Sequence, residues 1–383
     1  MQRRKFGQTG LDVSLLGFGC MRLPTVADPS PDSDVGNIDE TQSISMICYA
    51  IDHGVDYIDT AYNYHGGKSE VLVGKALADG YRGRVKLATK LPVWNVDVES
   101  DCDRILDEQL AKLQTDHVDM YLLHALNKHT WRDKVLKLNI LPFLDRALQD
   151  GRIKYAGFSF HDDLATFKEI VNGHDWDFCQ IQLNYMDQEY QAGVDGLRYA
   201  AGKGLAVVIM EPLRGGRLAR NVPGEIQAIW DQASVKRSPA QWAFRWVADL
   251  PEVSVILSGM GNLEEVKENI HTMADAEPLS LSKTELNLIE QVKQLYNQRI
   301  KVNCTDCRYC LPCPQEVSIP RVFSIYNHTS VYNVIEEGKR QYSHLIKNGN
   351  DASRCVECGN CESVCPQNLP IIQLLQGAHA ILA

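Results

Sequence analysis

Short apolar runs alternate with longer amphipathic stretches from Leu15 to about Asn269, and this alternation constrains the fold more than any other feature. Eight runs have the length and content of buried strands: 15–19, 56–60, 85–90, 117–124, 154–159, 177–184, 205–210 and 253–258. Helical periodicity fills the intervals at 41–53, 67–79, 97–115, 137–150, 162–172, 194–203, 239–249 and 262–273. Strands that alternate with helices in this way predict an α/β fold, a parallel and closed (β/α)8 barrel.

An open, doubly wound sheet is the alternative fold for such a pattern. In its dinucleotide-binding form that fold carries a G-x-G-x-x-G turn after the first strand. Here LLGFG at 15–19 is followed by CMRLP, so the expected turn is missing. The barrel is therefore the favoured prediction, with one more helix, at about 282–298, packed outside it.

Two cysteine runs near the C-terminus predict iron–sulfur clusters. They contain eight of the twelve cysteines: Cys304, Cys307, Cys310 and Cys313, then Cys355, Cys358, Cys361 and Cys365. The second run has the C-x2-C-x2-C-x3-C-P spacing of bacterial ferredoxins, whereas the first has two residues before its last cysteine. Structural zinc is the alternative, but zinc sites favour paired C-x2-C knuckles with four ligands in total.

The spacing also predicts how the ligands divide between two [4Fe–4S] clusters, because the last cysteine of such a run binds the other cluster. One cluster is expected on Cys304, Cys307, Cys310 and Cys365, and the other on Cys355, Cys358, Cys361 and Cys313. The linker 314–354 has a helical pattern. We therefore predict a barrel domain over 1–300 and a mainly helical, ferredoxin-like iron–sulfur domain over 301–383.

Four polar residues fall at or just after the predicted strand ends, where the reactive residues of such barrels lie. They are Asp59 and Tyr64 in GVDYIDTAYNY, Lys90 in LATKLP and His124 in YLLH. Together with the opening RKFGQTGLDVSLLGFGCMRLP, they resemble the aldo/keto reductase family over most of residues 1–300.

This resemblance implies hydride transfer between a nicotinamide cofactor and a carbonyl or alcohol substrate. It makes Tyr64 the general acid, supported by Lys90 and Asp59, and His124 the group that orients the carbonyl. Tyrosine alone has a pKa of about 10, too high for ready proton donation at neutral pH. An adjacent ammonium group stabilises the phenolate, so we expect Lys90 to lower the pKa of Tyr64.

The same resemblance indicates where NAD(P)H binds. Ser159 and Gln180 match positions that hold the nicotinamide amide, and Met210 stands where the family often has an aromatic residue. The glycines of EPLRGGRL at 211–218 would let backbone N–H groups approach a pyrophosphate. The full set of predicted cofactor contacts is Gly19, Cys20, Met21, Ser159, Gln180, Met210, Pro212, Leu213, Gly215, Gly216 and Asn269.

Residues after the eighth strand bear on the choice between NADH and NADPH. Family members that use NADPH place Lys and Arg near the 2′-phosphate, whereas this chain has Gly259 and Glu265 there. A missing cation and an added carboxylate disfavour a dianionic phosphate. The pattern favours NADH. NADPH stays open as an alternative, with Lys267 as the candidate cation for its 2′-phosphate, and so does a flavin.

Composition narrows the range of partners. The formal net charge of −10 disfavours nucleic acid and anionic membrane surfaces, which both attract basic faces. The N-terminus has basic residues but lacks the apolar core of a signal peptide, and no run reaches the roughly 20 apolar residues of a membrane span. We predict a cytoplasmic enzyme for a small carbonyl or alcohol substrate, with a redox protein as a second candidate partner.

One tension leaves the function open at this point. Nicotinamide moves two electrons together, whereas a [4Fe–4S] cluster moves one, so the two sites need a mediator to exchange electrons. Three hypotheses follow: a carbonyl reductase with an accessory dicluster domain, an electron-transfer protein whose barrel docks the clusters to a redox partner, and a regulatory barrel that senses nicotinamide.

Overall fold

The structure is a computed structural model that describes residues 1–26, 37–304, 310–365 and 367–383. It divides into two compact units, one of residues 1–215 and 241–281, the other of residues 216–240 and 282–383. The second unit thus includes 216–240 and the helix after 282, which the sequence assigned to the barrel. The division at residue 300 stays a prediction.

The first unit contains a closed barrel of eight parallel strands. Its strands are β3 (Leu16–Gly19), β4 (Tyr57–Asp59), β5 (Lys86–Leu91), β6 (Val118–Leu126), β7 (Ile153–Phe160), β8 (Phe178–Gln182), β9 (Ala206–Met210) and β10 (Val253–Ser258). Each strand pairs with its neighbour in sequence, and β10 pairs with β3 to close the ring. The predicted barrel and all eight of its strands are confirmed.

An N-terminal hairpin of β1 (Arg3–Lys5) and β2 (Asp12–Ser14) was not foreseen from the sequence. The fully buried Phe6, in the turn of this hairpin, contacts the barrel interior, with ring centroids 5.4 Å from Phe178 and 6.1 Å from Tyr57. Tyr57 begins β4 and Phe178 begins β8, so Phe6 fills the N-terminal end of the barrel. Open space for a ligand is therefore expected at the opposite end.

Helices follow the barrel strands as the periodicity predicts. They are α1 (Glu40–Asp52), α2 (Ser69–Ala76), α3 (Ser100–Leu113), α4 (Leu141–Asp150), α5 (Leu164–Val171), α6 (Gly193–Gly202), α8 (Pro239–Ala248) and α9 (Leu263–Met273). Helix α4 ends at the C-cap residue Gly151, whose φ of 85° glycine adopts without strain.

The second unit is helical in its described part. Its helices are α7 (Gly224–Trp230), α10 (Lys283–Gln298), α11 (Ile319–Tyr332), α12 (Ile335–Lys347), α13 (Asn360–Ser363) and α14 (Ile371–Leu382). Phe323, Tyr342 and Leu375 belong to its apolar core, against which six cysteines of the two runs pack. The predicted helical linker is confirmed by α11 and α12.

Across the residues that the structure describes, none of the helices combines the length and the apolar content that crossing a membrane requires.

Candidate active site

Asp59, Lys90 and Tyr64 meet at the C-terminal end of the barrel. The Lys90 ammonium lies 2.7 Å from the Asp59 carboxylate and donates to the Tyr64 hydroxyl at 3.3 Å. It also donates to the backbone carbonyl of Thr60 at 2.7 Å. These three acceptors fix the position of the ammonium group, so a charge stands beside the phenol.

Strand register and one tight turn produce this arrangement. Asp59 ends β4 and pairs with Ala88 of β5, two residues before Lys90, so both side chains emerge at the same rim. Tyr64 follows in a 3-10 turn over Tyr64–Gly67, in which His65 has a φ of 52°. The left-handed residue turns the chain immediately after Tyr64, which keeps the phenol at the rim.

Burial and charge act in opposite directions on these groups. Burial raises the pKa of Tyr64 above its ordinary value, although Lys90 pulls it down. Lys90 thus lowers the pKa of Tyr64 as expected, but the net shift is upward because the removal of water from the phenol outweighs the ammonium. For Lys90, burial favours the neutral amine, but Asp59 and Tyr64 outweigh it and raise the pKa. The lysine therefore stays charged.

His124 lies beside Tyr64, with ring centroids 6.0 Å apart and nearly perpendicular planes. Burial, followed by the charges of Lys90 and His161, lowers the pKa of His124 to about 3. A neutral imidazole keeps one N–H group to donate to a carbonyl oxygen. The Nδ1 atom is buried without a hydrogen-bond partner among the described residues, so it is available to a ligand or water.

The depressed pKa of His124 predicts how stability depends on pH. An unfolded histidine takes up a proton below about pH 6.5, whereas folded His124 resists protonation down to about 3. Folding stability is therefore lost as pH falls from about 6.5 towards about 3. We expect His124→Gln to flatten this loss, measured as urea midpoints over a pH series. His53→Gln, at an exposed position, is the matched control, and an unchanged slope in His124→Gln would contradict the prediction.

Trp94 is a site residue that the sequence reasoning missed. Its ring centroid is 5.1 Å from that of His124, and the side chain is 41% exposed although it is large and apolar. It lies in a 3-10 turn over Val93–Asn95 that directly follows β5. An aromatic residue four positions after Lys90 in LPVW was the available signal.

Ser159, Gln180 and Met210 lie on three neighbouring strands, β7, β8 and β9. Ser159 and Gln180 are register partners, and the Gln180 amide donates to the Met210 sulfur at 3.5 Å. Ser159 accepts a hydrogen bond from the Ala125 amide at 2.7 Å. The other amide atom, Oε1 of Gln180, is buried without a partner among the described residues. A buried acceptor costs free energy when it stays unpaired, so this oxygen fits the NH2 group of a nicotinamide carboxamide.

The remaining predicted cofactor contacts lie near this rim. Gly19 ends β3 opposite Asp59, Cys20 is fully buried, and Met21 is exposed. Burial raises the pKa of the Cys20 thiol, with a further contribution from Asp59, so it is held as a neutral thiol. Asn269 is buried and donates to the Ser258 hydroxyl at 3.0 Å.

The loop after β9 has a left-handed backbone at several positions. Glu211 and Arg214 have φ values of 57° and 51°, and Gly215 and Gly216 follow with 68° and 88°. Pro212 and Leu213 complete the turn. Asn184 donates to the Glu211 carbonyl at 3.1 Å, which ties the start of the loop to the end of β8. Glycine adopts such φ values without strain, which fits the predicted close approach of this backbone to a pyrophosphate.

Glu265 takes part in the loop after β10. Its carboxylate accepts from the Gly261 amide at 2.8 Å, and its own amide donates to Asn262, the N-cap of α9. Lys267 lies 5.9 Å from the centre of the Tyr49 ring, a cation–π contact. The loop therefore presents a carboxylate, and the candidate compensating cation contacts an aromatic ring.

Five cysteines of the predicted set line one cavity within the second unit, four from one predicted cluster and Cys310 from the other. Cys313, Cys355, Cys358 and Cys361 surround it together with Cys310, and its volume is about 190 Å³. Apolar side chains such as Val317 and Leu375 supply the rest of the wall. A thiol-lined, largely apolar cavity fits a [4Fe–4S] cluster, whose ligands are Cys thiolates.

The other three cysteines of the predicted set do not line this cavity in the described part of the structure. Cys304 and Cys365 are partly buried against the same core, and Cys307 lies outside the described residues. Among the residues that are described, no group of three or more His, Cys, Asp or Glu side chains could hold a single metal ion.

Comparison with known proteins agrees with both halves of the chain. The aldo/keto reductase family matches residues 15–294, and a 4Fe-4S dicluster domain matches 303–370. L-galactose dehydrogenase from Arabidopsis thaliana is 25% identical over 315 residues, which cover 76% of this chain and 94% of the plant protein. Probable aldo-keto reductase 1 from Glycine max is 25% identical over 310 residues, 72% of this chain and 85% of that protein.

A solved structure, the holo form of an aldo-keto reductase from Bacillus halodurans, shares the fold. Its TM-score is 0.63 at 24% identity, with 76% of this chain and 96% of that chain covered. Fold and rim residues together define a barrel oxidoreductase. The chain belongs to the aldo/keto reductase family, and it carries a 4Fe-4S dicluster domain.

Proposed function

We propose that the protein is an NAD(P)(H)-dependent carbonyl reductase or alcohol dehydrogenase with an accessory pair of [4Fe–4S] clusters. The observation that carries the proposal is the Lys90 ammonium held between Asp59 and the Tyr64 hydroxyl, at 2.7 Å and 3.3 Å. A bound nicotinamide supplies or accepts the hydride, and each cluster carries one electron at a time.

The residues of the chain supply the proton and the orientation. Tyr64 gives its hydroxyl proton to the carbonyl oxygen as the carbonyl carbon becomes an alcohol carbon. Lys90 stabilises the phenolate left behind, and Asp59 keeps Lys90 in place. Neutral His124 donates an N–H to the same oxygen, which fixes the direction of the carbonyl. We assign Trp94 as an aromatic wall of the substrate site.

The predicted cofactor contacts remain part of this proposal. Gln180 and Ser159 would hold the carboxamide, and the 211–216 loop would hold the pyrophosphate. The thiol-lined cavity supports one cluster on Cys313, Cys355, Cys358 and Cys361. The other would lie on Cys304, Cys307, Cys310 and Cys365. A cytoplasmic location, a flavin mediator and a redox partner protein stay predictions.

The test is carbonyl-dependent oxidation of NADH and NADPH by protein purified without oxygen. The substrate panel includes aldehydes, ketones and sugars, among them L-galactose in the oxidative direction because of the plant relative's name. Turnover supports the reductase. Cluster reduction by a low-potential donor with no turnover supports the electron-transfer alternative instead.

Cofactor preference gives a separate prediction. We expect a lower KM for NADH than for NADPH, because the Glu265 carboxylate repels a 2′-phosphate. Glu265→Gln keeps an oxygen for the Gly261 amide and should lower the KM for NADPH by about two- to fivefold, the worth of one exposed charge pair. Glu264→Gln, at the exposed neighbouring position, is the matched control. An NADPH preference that neither variant changes would contradict this assignment.

A further inference from the structure

A buried polar cluster contacts the main chain of the lysine in the candidate site. It consists of Glu70 at the start of α2, Thr89 on β5, Gln109 on α3 and Tyr121 on β6. Each of these side chains is fully buried. We call this set the Glu70 cluster.

Hydrogen bonds fix the orientation of the Gln109 amide from both ends. The Tyr121 hydroxyl donates to Oε1 of Gln109 at 2.8 Å. Nε2 of Gln109 donates to Oε1 of Glu70 at 2.7 Å, and the Thr89 hydroxyl donates to that same oxygen at 2.7 Å. With one end accepting and the other donating, the amide has a single satisfied orientation.

The same amide nitrogen contacts the Thr89 hydroxyl at 3.1 Å and also reaches the backbone of Lys90. Nε2 of Gln109 donates to the backbone carbonyl of Lys90 at 3.0 Å. That carbonyl belongs to the residue whose side chain reaches Asp59 and Tyr64. The Glu70 cluster therefore holds the backbone from which the catalytic ammonium is extended.

Packing alone does not explain why the side chains of the Glu70 cluster are polar. Buried polar groups cost several kcal/mol unless they are paired, and apolar side chains of similar size would join α3 to β5 at less cost. Glu70 has one further contact, with Lys112 at 3.5 Å. Polar side chains at this place add a directed donor to one carbonyl, which apolar ones cannot supply.

We infer that Glu70 and Gln109 are positioning residues of the reductase site: through the Lys90 carbonyl they hold the ammonium at hydrogen-bond distance from Tyr64. This inference rests on the proposed function for its kinetic consequences. Neither residue touches substrate or cofactor in this role. Both act through Lys90.

The central experiment uses Gln109→Leu in the full-length, cluster-loaded protein. We expect kcat to fall by roughly 10- to 100-fold, the effect of a shift of about 1 Å in a catalytic group, with both KM values changed less than about threefold. The alkaline limb of the kcat profile should move to higher pH, because a displaced ammonium no longer stabilises the Tyr64 phenolate. A structural defect alone would not move that limb.

A conservative pair tests the role of Glu70. Glu70→Gln retains an oxygen that can accept from Thr89 and Gln109, so it should keep kcat within about threefold of the wild type, whereas Glu70→Ala should behave like Gln109→Leu. Equal losses in the two Glu70 variants would overturn the role assigned to Glu70. If Gln109→Leu does not fold, Tyr121→Phe replaces it, because this variant removes the hydrogen bond to Oε1 of the Gln109 amide. The same changes in kcat and in its pH profile are expected.

Asp119→Asn is the matched control. Asp119 of β6 accepts a hydrogen bond from the amide of Leu87, which lies on β5 like Lys90, but it does not contact Lys90 itself. It should lower stability and leave kcat and its pH profile unchanged. Crystal structures of the variants give a readout without turnover: the Lys90–Tyr64 distance should lengthen in Gln109→Leu and Glu70→Ala and stay unchanged in Asp119→Asn. A folded Gln109→Leu with wild-type kcat, pH profile and Lys90 position would overturn the inference. A wild-type protein without carbonyl turnover would instead refute the proposed function. The Lys90–Tyr64 distance in the crystal structures would then test whether Glu70 and Gln109 position Lys90.

Discussion

Tyr64→Phe is expected to lower kcat for carbonyl reduction by on the order of 10²- to 10⁴-fold, the usual contribution of a positioned general acid. The variant retains the ring and its contact with His124, so the fold and cofactor binding should survive. It loses only the hydroxyl that the Lys90 ammonium contacts at 3.3 Å. The measurement is the rate of carbonyl-dependent NAD(P)H oxidation at saturating substrate, with cofactor affinity determined separately.

Tyr62→Phe is the control for this variant, because Tyr62 lies two residues away and its hydroxyl donates to Glu108 instead. It should retain the wild-type kcat. The pH profile adds a check with a definite sign. Reduction requires the protonated phenol, so the rate should fall as pH rises through the pKa of Tyr64, which burial raises above its ordinary value. A Tyr64→Phe variant as active as the wild type would remove Tyr64 from the acid role.

Cys361→Ala is expected to remove roughly half of the bound iron and acid-labile sulfide, if the chain holds two clusters that form independently. Cys361 lines the thiol-rich cavity with Cys313, Cys355 and Cys358, so its loss leaves one cluster without a ligand. The cluster predicted on the other four cysteines should remain. Iron and sulfide analysis after anaerobic purification measures the effect, and the spectrum of the reduced protein identifies the surviving cluster.

Cys48→Ser serves as the control, since Cys48 lies in the barrel unit and contacts the Ala76 carbonyl there. It should retain all of the iron. Zinc in place of iron in the wild-type protein would contradict the cluster assignment. Full iron and sulfide content in Cys361→Ala would remove Cys361 from the ligand set.

Much of the barrel could be predicted because its signals are local. Each strand, such as 253–258, is a short apolar run, and each helix is marked by periodicity and by residues such as Pro239 at its start. The N-terminal hairpin escaped prediction because its strands have three residues each, too few to show alternation. The contacts of Phe6 are with residues of the folded barrel, which are distant from it in the sequence.

Part of the candidate site could likewise be predicted from the sequence, and part of it could not. Asp59, Lys90 and His124 were found because parallel strands in a barrel bring their ends to one face, so position along the chain predicts proximity. Trp94 was missed because it follows a strand in a turn whose path depends on the neighbouring loops. The Glu70 cluster was not predicted, because Gln109 lies 19 residues beyond Lys90 and no local pattern marks their contact.

By itself, the sequence determined the order of strands and helices, the polar residues at the strand ends and the cysteine spacing of the C-terminal module. Only the tertiary structure decided that burial outweighs Lys90 at the Tyr64 phenol, that Oε1 of Gln180 is left without a partner, and that Gln109 reaches the Lys90 backbone. The physical reason is that periodicity and spacing are properties of neighbours along the chain. Desolvation and hydrogen-bond satisfaction depend on every group that packs around an atom in the folded protein.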